Sequence, residues 1–487
     1  MRRSILSSAV MALIIASVLV TSLVGSQAAQ QTGQVSYIPY AEAKPILEAV
    51  NDVLPAELRS AKPESMPTIW ASWVAHRDSE IRGRLAQGDE DSLINFVLFG
   101  TSFTRNPRIT LNVLAQMAGK QSKEPSGSLS TAEVFFKAVD SRVDDLVRAM
   151  TGPGSNERVI FARRMIEKKG YDLRTAAGRD RIRTYLLANL SRMLNEQAGY
   201  ARLLQSARLL GDPSAEFAER SKLYSGRGLS SDTSLLPNYA LEKALISIKA
   251  RGLLAPGTVR RVAIVGPGLD FTDKEDGYDF YPQQTIQPFA IIDTLLRTML
   301  SRASDLKVTT LDLSPRVNDH LRGARQRAGR GEAYTIQLPR DALRPWYPDA
   351  IDYWLRFGEH IGKPVAPVAL PPGIGDLKIR AVRVRPSIVS SVTPEDANIV
   401  VQRLNVAEGF DLIIATNILV YYDVFEQSLA LANVERMLRP GGLLLSNNAL
   451  LELPNSEMRS VGYETVVYSE RPDHGDHIVW YQRRASR

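Results

Sequence analysis

Residues 262–271 read Val-Ala-Ile-Val-Gly-Pro-Gly-Leu-Asp-Phe. An apolar, β-branched run that stops abruptly at Gly-Pro-Gly and an acid is the pattern of a strand feeding a ligand-binding loop. Gly266 and Gly268 remove side chains, so the backbone can approach a ligand closely. The stretch also sits where the texture of the chain changes. From about residue 260 onward, short apolar runs alternate with helical patterns, which predicts an α/β fold with a parallel sheet and helices on both faces.

Outward from this first strand (261–265), a helix is expected from 288 to about 301. The second strand is 307–311 (KVTTL), ending in Asp312 and followed by a basic helix. The third is placed at 398–404 (NIVVQRL), because its β-branched run follows the turn residues Thr393-Pro-Glu-Asp396. The fourth is 411–416 (DLIIAT), with a helix running to residue 438. Arg439-Pro-Gly-Gly442 then turns into a fifth strand, 443–446, and a hairpin of 463–468 and 477–481 closes the pattern.

In such a doubly wound sheet, ligands bind at the carboxyl ends of the strands where the winding reverses. The strand ends here carry suitable groups in order. Glycines follow strand one. Asp312 ends strand two, where a carboxylate can accept both hydroxyls of a ribose. Asn405 ends strand three, where an amide can meet an adenine edge, and Asn417 ends strand four, beside the reacting group. Together they point to a ribose-bearing cofactor.

On these residues the region resembles the class I S-adenosylmethionine-dependent methyltransferases, with a Rossmann-like sheet, and most nearly the chemotaxis-receptor glutamate methyltransferase type. The family's strand-four signature is matched by Asn417-Ile-Leu-Val-Tyr-Tyr-Asp423, and its Pro-Gly-Gly turn by Leu438-Arg-Pro-Gly-Gly442. The family's helix start after the glycine loop is similar to Gln287-Pro288-Phe289. Ala350–Phe357 and the strand at 379–385 are similar to its extra helix and ribbon. The resemblance covers roughly 233–484. It implies S-adenosylmethionine as cofactor, with Gly266, Pro267 and Gly268 cradling the methionine part and Asp270 reaching its ammonium. It further implies Asp312 on the ribose, Asn405 near the adenine, Asn417 near the methyl group, and Tyr421 as the active-site tyrosine. The residues themselves leave a second reading of Tyr421 and Tyr422, as a core-capping aromatic pair.

The chain departs from the family in four places. Ile264 stands where an acid precedes the first glycine, and Asp270 replaces the third glycine. Residues 272–286 (TDKEDGYDFYPQQTI) are inserted before the helix. The family's Thr-x-Phe-Phe-Arg segment, which serves the cofactor and substrate pocket, corresponds to Thr233-Ser-Leu-Leu-Pro237, without the arginine.

The other half reads differently. Arg2 and Arg3 precede an apolar run from Ile5 to Gly25 and the small residues Ser26-Gln-Ala28. That is the pattern of a secretory signal, 1–28, or of a retained membrane anchor, with a polar linker at 29–40. The expectation is therefore a periplasmic, extracellular or anchored protein whose only membrane contact is this segment. Residues 41–232 form a helical N-terminal domain by pattern, punctuated by Thr151-Gly-Pro-Gly154 and Gly211-Asp-Pro213, and 233–487 form the α/β domain. Leu98-Phe-Gly-Thr-Ser-Phe-Thr-Arg105 is turn-like amid those helices.

The 487 residues contain no cysteine, which excludes disulfides, thiolate metal sites and a cysteine nucleophile. A net charge of +7, two of it from Arg2 and Arg3, gives no reason to expect nucleic acid as a partner. The arginines of 316–330 read as a solvated helix face, and Asp473-His-Gly-Asp-His477 as a hairpin loop and not a metal site. Two functions stay open: methyl transfer to a protein side chain or small molecule, or an exported binding or scaffold protein that keeps the fold without catalysis.

Overall fold

The computed structural model describes residues 34–110, 131–210, 227–270, 277–371, 374, 377–447, 449–471 and 474–484. The expected signal segment 1–28 lies outside the described residues. No helix among them is long and apolar enough to cross a membrane.

In chain order the strands are β1 (Val35–Tyr37), β2 (Arg261–Val265), β3 (Lys307–Asp312), β4 (Tyr334–Asp341), β5 (Gly362–Val365), β6 (Leu377–Val384), β7 (Val392–Asp396), β8 (Gln402–Leu404), β9 (Phe410–Ala415), β10 (Leu438–Ser446), β11 (Met458–Val467) and β12 (Gly475–Arg483). The helices used below are α1 (Tyr40–Ala49), α2 (Met66–Phe99), α3 (Thr131–Thr151), α4 (Glu157–Lys168), α5 (Ala176–Leu210), α6 (Leu236–Ala250), α7 (Gln287–Arg297), α8 (Pro315–Gly329), α9 (Pro348–Arg356) and α10 (Val424–Met437).

The central sheet has the order β11-β12-β10-β9-β2-β3-β7. β7, β3, β2, β9 and β10 run parallel, while β12 is antiparallel to both its neighbours. From β2 the chain winds outward through β3 to β7, then returns to the other side of β2 with β9. The winding thus reverses between β2 and β9, where a crevice opens beyond the strand ends. Together with the helices on both faces, this is a Rossmann-like α/β sheet. A second sheet, β4-β6-β5, is antiparallel and is inserted, with α9, between β3 and β7.

The third strand is not where the sequence pattern put it. β7 is Val392–Asp396, the segment read as a turn, and it pairs in parallel with β3 from Val308↔Val392 to Asp312↔Asp396. Pro394 misleads because proline removes a ladder donor. β7 lies at the edge of the sheet, where that loss is tolerated. The β-branched run Ile399-Val-Val401 is instead a buried turn. The Asn398 side chain sets that turn by accepting the Val400 N–H (3.2 Å), and the Asn398 backbone N–H donates to Gln402 Oε1 (2.9 Å). β8 then pairs antiparallel with β1, so part of the expected linker is a strand.

Alternating residues of each central strand feed two cores, as the pleat requires. Val262, Ile264, Leu412 and Ile414 face a core covered by α6, α7, α8 and the inserted sheet. Ala263, Val265, Ile413 and Ala415 face a second core covered by α10, the turn at 399–401, α1 and the first half of α2. There Trp70 stacks on Trp73 (centroids 5.2 Å apart), Trp73 meets Phe425, and the Trp70 indole N–H donates to Ile38 O (2.9 Å). The second half of α2, from Leu93 to Leu98, packs with α3, α4 and α5 in a third, wholly helical core. Packing therefore cuts across the division drawn at 41–232: residues 35–81 complete the sheet's second face.

Candidate functional site

A cavity of about 420 Å³ lies at the carboxyl ends of β2, β3 and β9 and just beyond β7. Gly266, Gly268, Asp312, Asn417 and Tyr421, all expected from sequence, line it together. Each is placed by a local rule.

Gly266 and Gly268 have φ of 63° and 70°, a region that favours glycine. A Cβ on Gly266 would stand 2.1 Å from Ile418 Cδ1, and one on Gly268 2.9 Å from Thr233 Cβ. The missing side chains thus let Ile418 and Thr233, both on the cavity wall, close on the loop, whose backbone lines the cavity beside them. Asn417 also adopts a left-handed conformation (φ 58°), and its N–H donates to Asn447 Oδ1 (2.7 Å). Asparagine tolerates that geometry better than most residues, and such a bend at a strand end is common at ligand sites. Six residues on, Asp423 caps α10 in a capping box with Glu426, so the Asn417–Asp423 motif is a strand end, a bend and a helix start in succession. Tyr421 and Tyr422 both line the cavity; Tyr422 is buried in the second core, and the half-buried Tyr421 packs against it.

Asp312 is buried and accepts the Ser314 N–H (2.7 Å). Burial raises its pKa to about 7, against the opposing effect of the Ser314 and Gly268 N–H groups and of Arg316. The carboxylate thus titrates near neutrality, poised between acceptor and donor.

Three expected residues fall outside the cavity lining. Pro267 is buried between the two glycines and does not line the space. Asp270 turns away: its carboxylate stands 3.8 Å from the Arg158 guanidinium and it is buried at the base of α4. A carboxylate held in a buried pair with arginine is not available to a cofactor ammonium. Asn405 is exposed at the end of β8, where it accepts from Ser36 Oγ (3.3 Å) and its N–H donates to Gln34 O. It was misplaced because the third strand was. The residues after the true third strand, Ala397 and Ile399, line the cavity instead, beside Leu311 and Leu313. These apolar groups offer a flat base a surface to lie on.

The basic face expected on α8 is only partly solvated. Arg316 is half-buried over the Phe161 ring (3.9 Å to the centroid) and donates to Ser231 Oγ (2.9 Å), and the half-buried Arg325 donates to Val392 O (3.2 Å), while Arg322 and Arg330 remain exposed. The hairpin loop is shorter than the pattern suggested: Gly475, Asp476 and His477 already belong to β12 and pair with β11, His474 lies in the loop, and Asp473 lies outside the described residues.

Sequence reasoning also missed the share of the cavity supplied by the amino-terminal half. Ser92 and Asn95 of α2, Met193 and Glu196 of α5, and the connection from Arg227 to Asp232 close one side. The ties are specific. Arg84 donates to Arg227 O (2.9 Å) and Tyr421 O (2.9 Å), and Ser92 Oγ donates to Asp232 Oδ1 (3.0 Å). Arg82 reaches Asp396 at the end of β7 (2.7 Å), and Arg77 pairs with the buried Glu426 of α10 (2.7 Å). No motif marks these residues, because they act through scattered polar contacts made from a long helix.

No protein-family model matches the chain, and no curated protein matches it. Solved structures are similar to about half of it. The N-methyltransferase NodS from Bradyrhizobium japonicum has 14% identity over 50% of this chain and 95% of its own, with a TM-score of 0.26. TrmN from Thermus thermophilus has 16% identity over 51% and 52%, with a TM-score of 0.25. The magnesium protoporphyrin IX methyltransferase from Synechocystis, solved with bound S-adenosylmethionine, has 11% identity over 60% and 95%, with a TM-score of 0.25. At these values the likenesses add nothing to the strand order and the crevice, on which the fold assignment rests.

Proposed function

We propose that this chain is an S-adenosylmethionine-dependent methyltransferase. The observation that carries the reading is a single cavity at the point where the winding reverses, with a glycine loop after the first strand and an acid after the second. The residues fit the cofactor: two positive-φ glycines leave backbone facing the space, and Asp312 offers carboxylate oxygens to a diol. Gly266 and Gly268 would hold the methionine part, Asp312 the ribose, and the Ala397–Ile399 surface the base. When bound, the cofactor supplies an electrophilic methyl group. The protein's own share is to orient and to exclude water, which supplies much of the rate in a transfer that needs an in-line approach. Asn417 and Tyr421 border the space where an acceptor would stand, and the helical half shields it. The acceptor is either a protein side chain or a small molecule.

Within the class, the chemotaxis-receptor type is the nearest reading, supported by the Asn417–Asp423 motif and the small antiparallel sheet between the second and third strands. The family's arginine is absent, so a glutamate acceptor is not part of the proposal. We read residues 1–28 as carrying the chain across, or holding it to, a membrane.

The test is calorimetric titration with S-adenosylmethionine and S-adenosylhomocysteine. Micromolar binding is expected, weakened by about 10–100-fold in Asp312→Ala, the range of about 1.5–3 kcal/mol for a hydrogen bond to a charged group. A folded chain that gives no heat with either ligand would sink the enzyme reading and favour the binding protein without catalysis.

A further inference from the structure

Two features of the sequence have no place yet in the cofactor site: the turn-like LFGTSFTR of 98–105 and the insertion that begins at residue 272. In the structure each holds the other. Asp279, in the insertion, accepts the Thr101 N–H (2.7 Å), the Thr101 hydroxyl (2.6 Å), the Ser102 N–H (3.0 Å) and the Ser102 hydroxyl. The turn that presents those donors is fixed by Arg142. This fully buried guanidinium donates to the carbonyls of Val97 (2.6 Å), Asn106 (2.7 Å), Pro107 (2.8 Å) and Gly100. The rest of the dock is the start of α4. Asn156 caps that helix and donates to Ser102 Oγ (2.8 Å), and Glu157 accepts the Gln283 N–H (2.6 Å).

Arg158 connects this dock to the glycine loop. It is 1% exposed and lies over the Tyr281 ring. Its Nη1 donates to the carbonyls of Asp279 (3.1 Å) and Tyr281, and its Nη2 reaches Asp270 O (3.4 Å) and the Asp270 carboxylate (3.8 Å). Asp270 is two residues past Gly268. Its N–H donates to Gln284 O (2.7 Å), and the N–H of Leu269 donates to Ser231 O (2.6 Å). The exit of the glycine loop is therefore held by groups outside the sheet: Arg158 from the helical half, Gln284 from the insertion and Ser231 from the connection to α6. A planar fork that satisfies several fixed acceptors at once is a task for arginine, which lysine cannot reproduce.

We propose that Arg158 is a positioning residue for the cofactor: it sets the course of the glycine loop through Asp270, so the helical half governs how well the methionine end is held. This rests on the cofactor reading above. It also gives the acid at 270 a different role from the one its sequence position suggests.

The test separates the two ends of the ligand. S-adenosylhomocysteine carries the aminobutyrate arm that would lie on the glycine loop; 5′-methylthioadenosine lacks it and keeps the nucleoside. Both are titrated into the full-length chain, wild type and Arg158→Lys, well below the unfolding temperature. Arg158→Lys is expected to weaken S-adenosylhomocysteine about tenfold while leaving methylthioadenosine within about twofold, because a displaced loop costs only the group it positions. Ser102→Ala, which removes one donor to Asp279 and leaves Arg158 in place, should shift the same ratio in the same direction by less. Equal weakening of both ligands by Arg158→Lys would reduce Arg158 to a structural residue and overturn the assignment. So would unchanged binding of both. If that variant does not fold, an unchanged ratio in Ser102→Ala overturns it. A wild-type chain that binds neither ligand overturns the cofactor reading itself, and this assignment with it.

Discussion

The two faces of the central sheet are covered from different parts of the chain. One is covered locally: α6, α7 and α8 lie beside the strands in sequence, and Phe289, Ile291 and Leu295 of α7 pack directly on it. The other is covered from both ends of the chain, with α10 joined by α1, Trp70, Trp73 and Ile81 from some two hundred residues upstream of β2. The first arrangement makes an independent α/β unit imaginable; the second makes it incomplete. A sheet with one apolar face bare would expose a contiguous patch far larger than soluble monomers carry.

The largest test removes residues 34–100. The remainder is expected to lose its cooperative thermal transition and to bind a hydrophobic dye; a sharp transition with intact cofactor binding would break the comparison. Next, Trp70→Ala should cost about 3–5 kcal/mol in urea denaturation, and Phe289→Ala on the opposite face a similar amount. Equal costs would show that the borrowed cover is packed as tightly as the local one. Gly266→Ala acts between the faces, at the cavity. Its Cβ would collide with Ile418, so cofactor affinity should fall by at least about tenfold. Ile418→Ala should restore only part of that, because the positive φ still penalises any side chain.

A pH series gives a smaller, graded effect. Binding a diol favours the ionised form of Asp312, whose pKa is raised by burial to about 7. Below that pH, binding must release a proton, so calorimetric affinity should fall about tenfold per unit of pH, and it should level off above. The linked effect on stability has the opposite sign. Between the ordinary value of 3.8 and about 7, the folded carboxyl keeps a proton that the unfolded chain releases, so this group lowers stability as pH rises through that window. The smallest effect is expected at Asn405, exposed on β8: Asn405→Ala should leave cofactor affinity unchanged, and a clear loss would return the third strand to where the sequence first suggested it.

Much of the fold was legible because the strands of a parallel sheet are short, apolar and punctuated. Gly266, Gly268, Asp312 and Asn417 could be placed on a single cavity from their positions at strand ends, and Tyr421 from the motif it shares with the family it resembles. The third strand was not legible. Pro394 and its acidic neighbours carry turn chemistry, and only their place at the sheet edge permits a strand. Ile399-Val-Val401 carries strand chemistry, and only the Asn398 side chain bends it. Asp270 was misassigned for a related reason: its partner, Arg158, is more than a hundred residues away in a helix with no motif. Local pattern reads the elements; it does not read which distant side chain claims a polar group.

The pairing of Ser36 with Arg403 in the β1–β8 ribbon has a consequence for the order of assembly. As the chain is made from its amino end, β1, α1 and the first half of α2 exist long before the strands they cover. Closing so long a loop must wait until nearly the whole chain is available, which places this protein among slow, high-contact-order folders. Until then Trp70 and Trp73, which stack in the folded protein, lack the strands they cover. A holding chaperone would find there its first and longest-lived target.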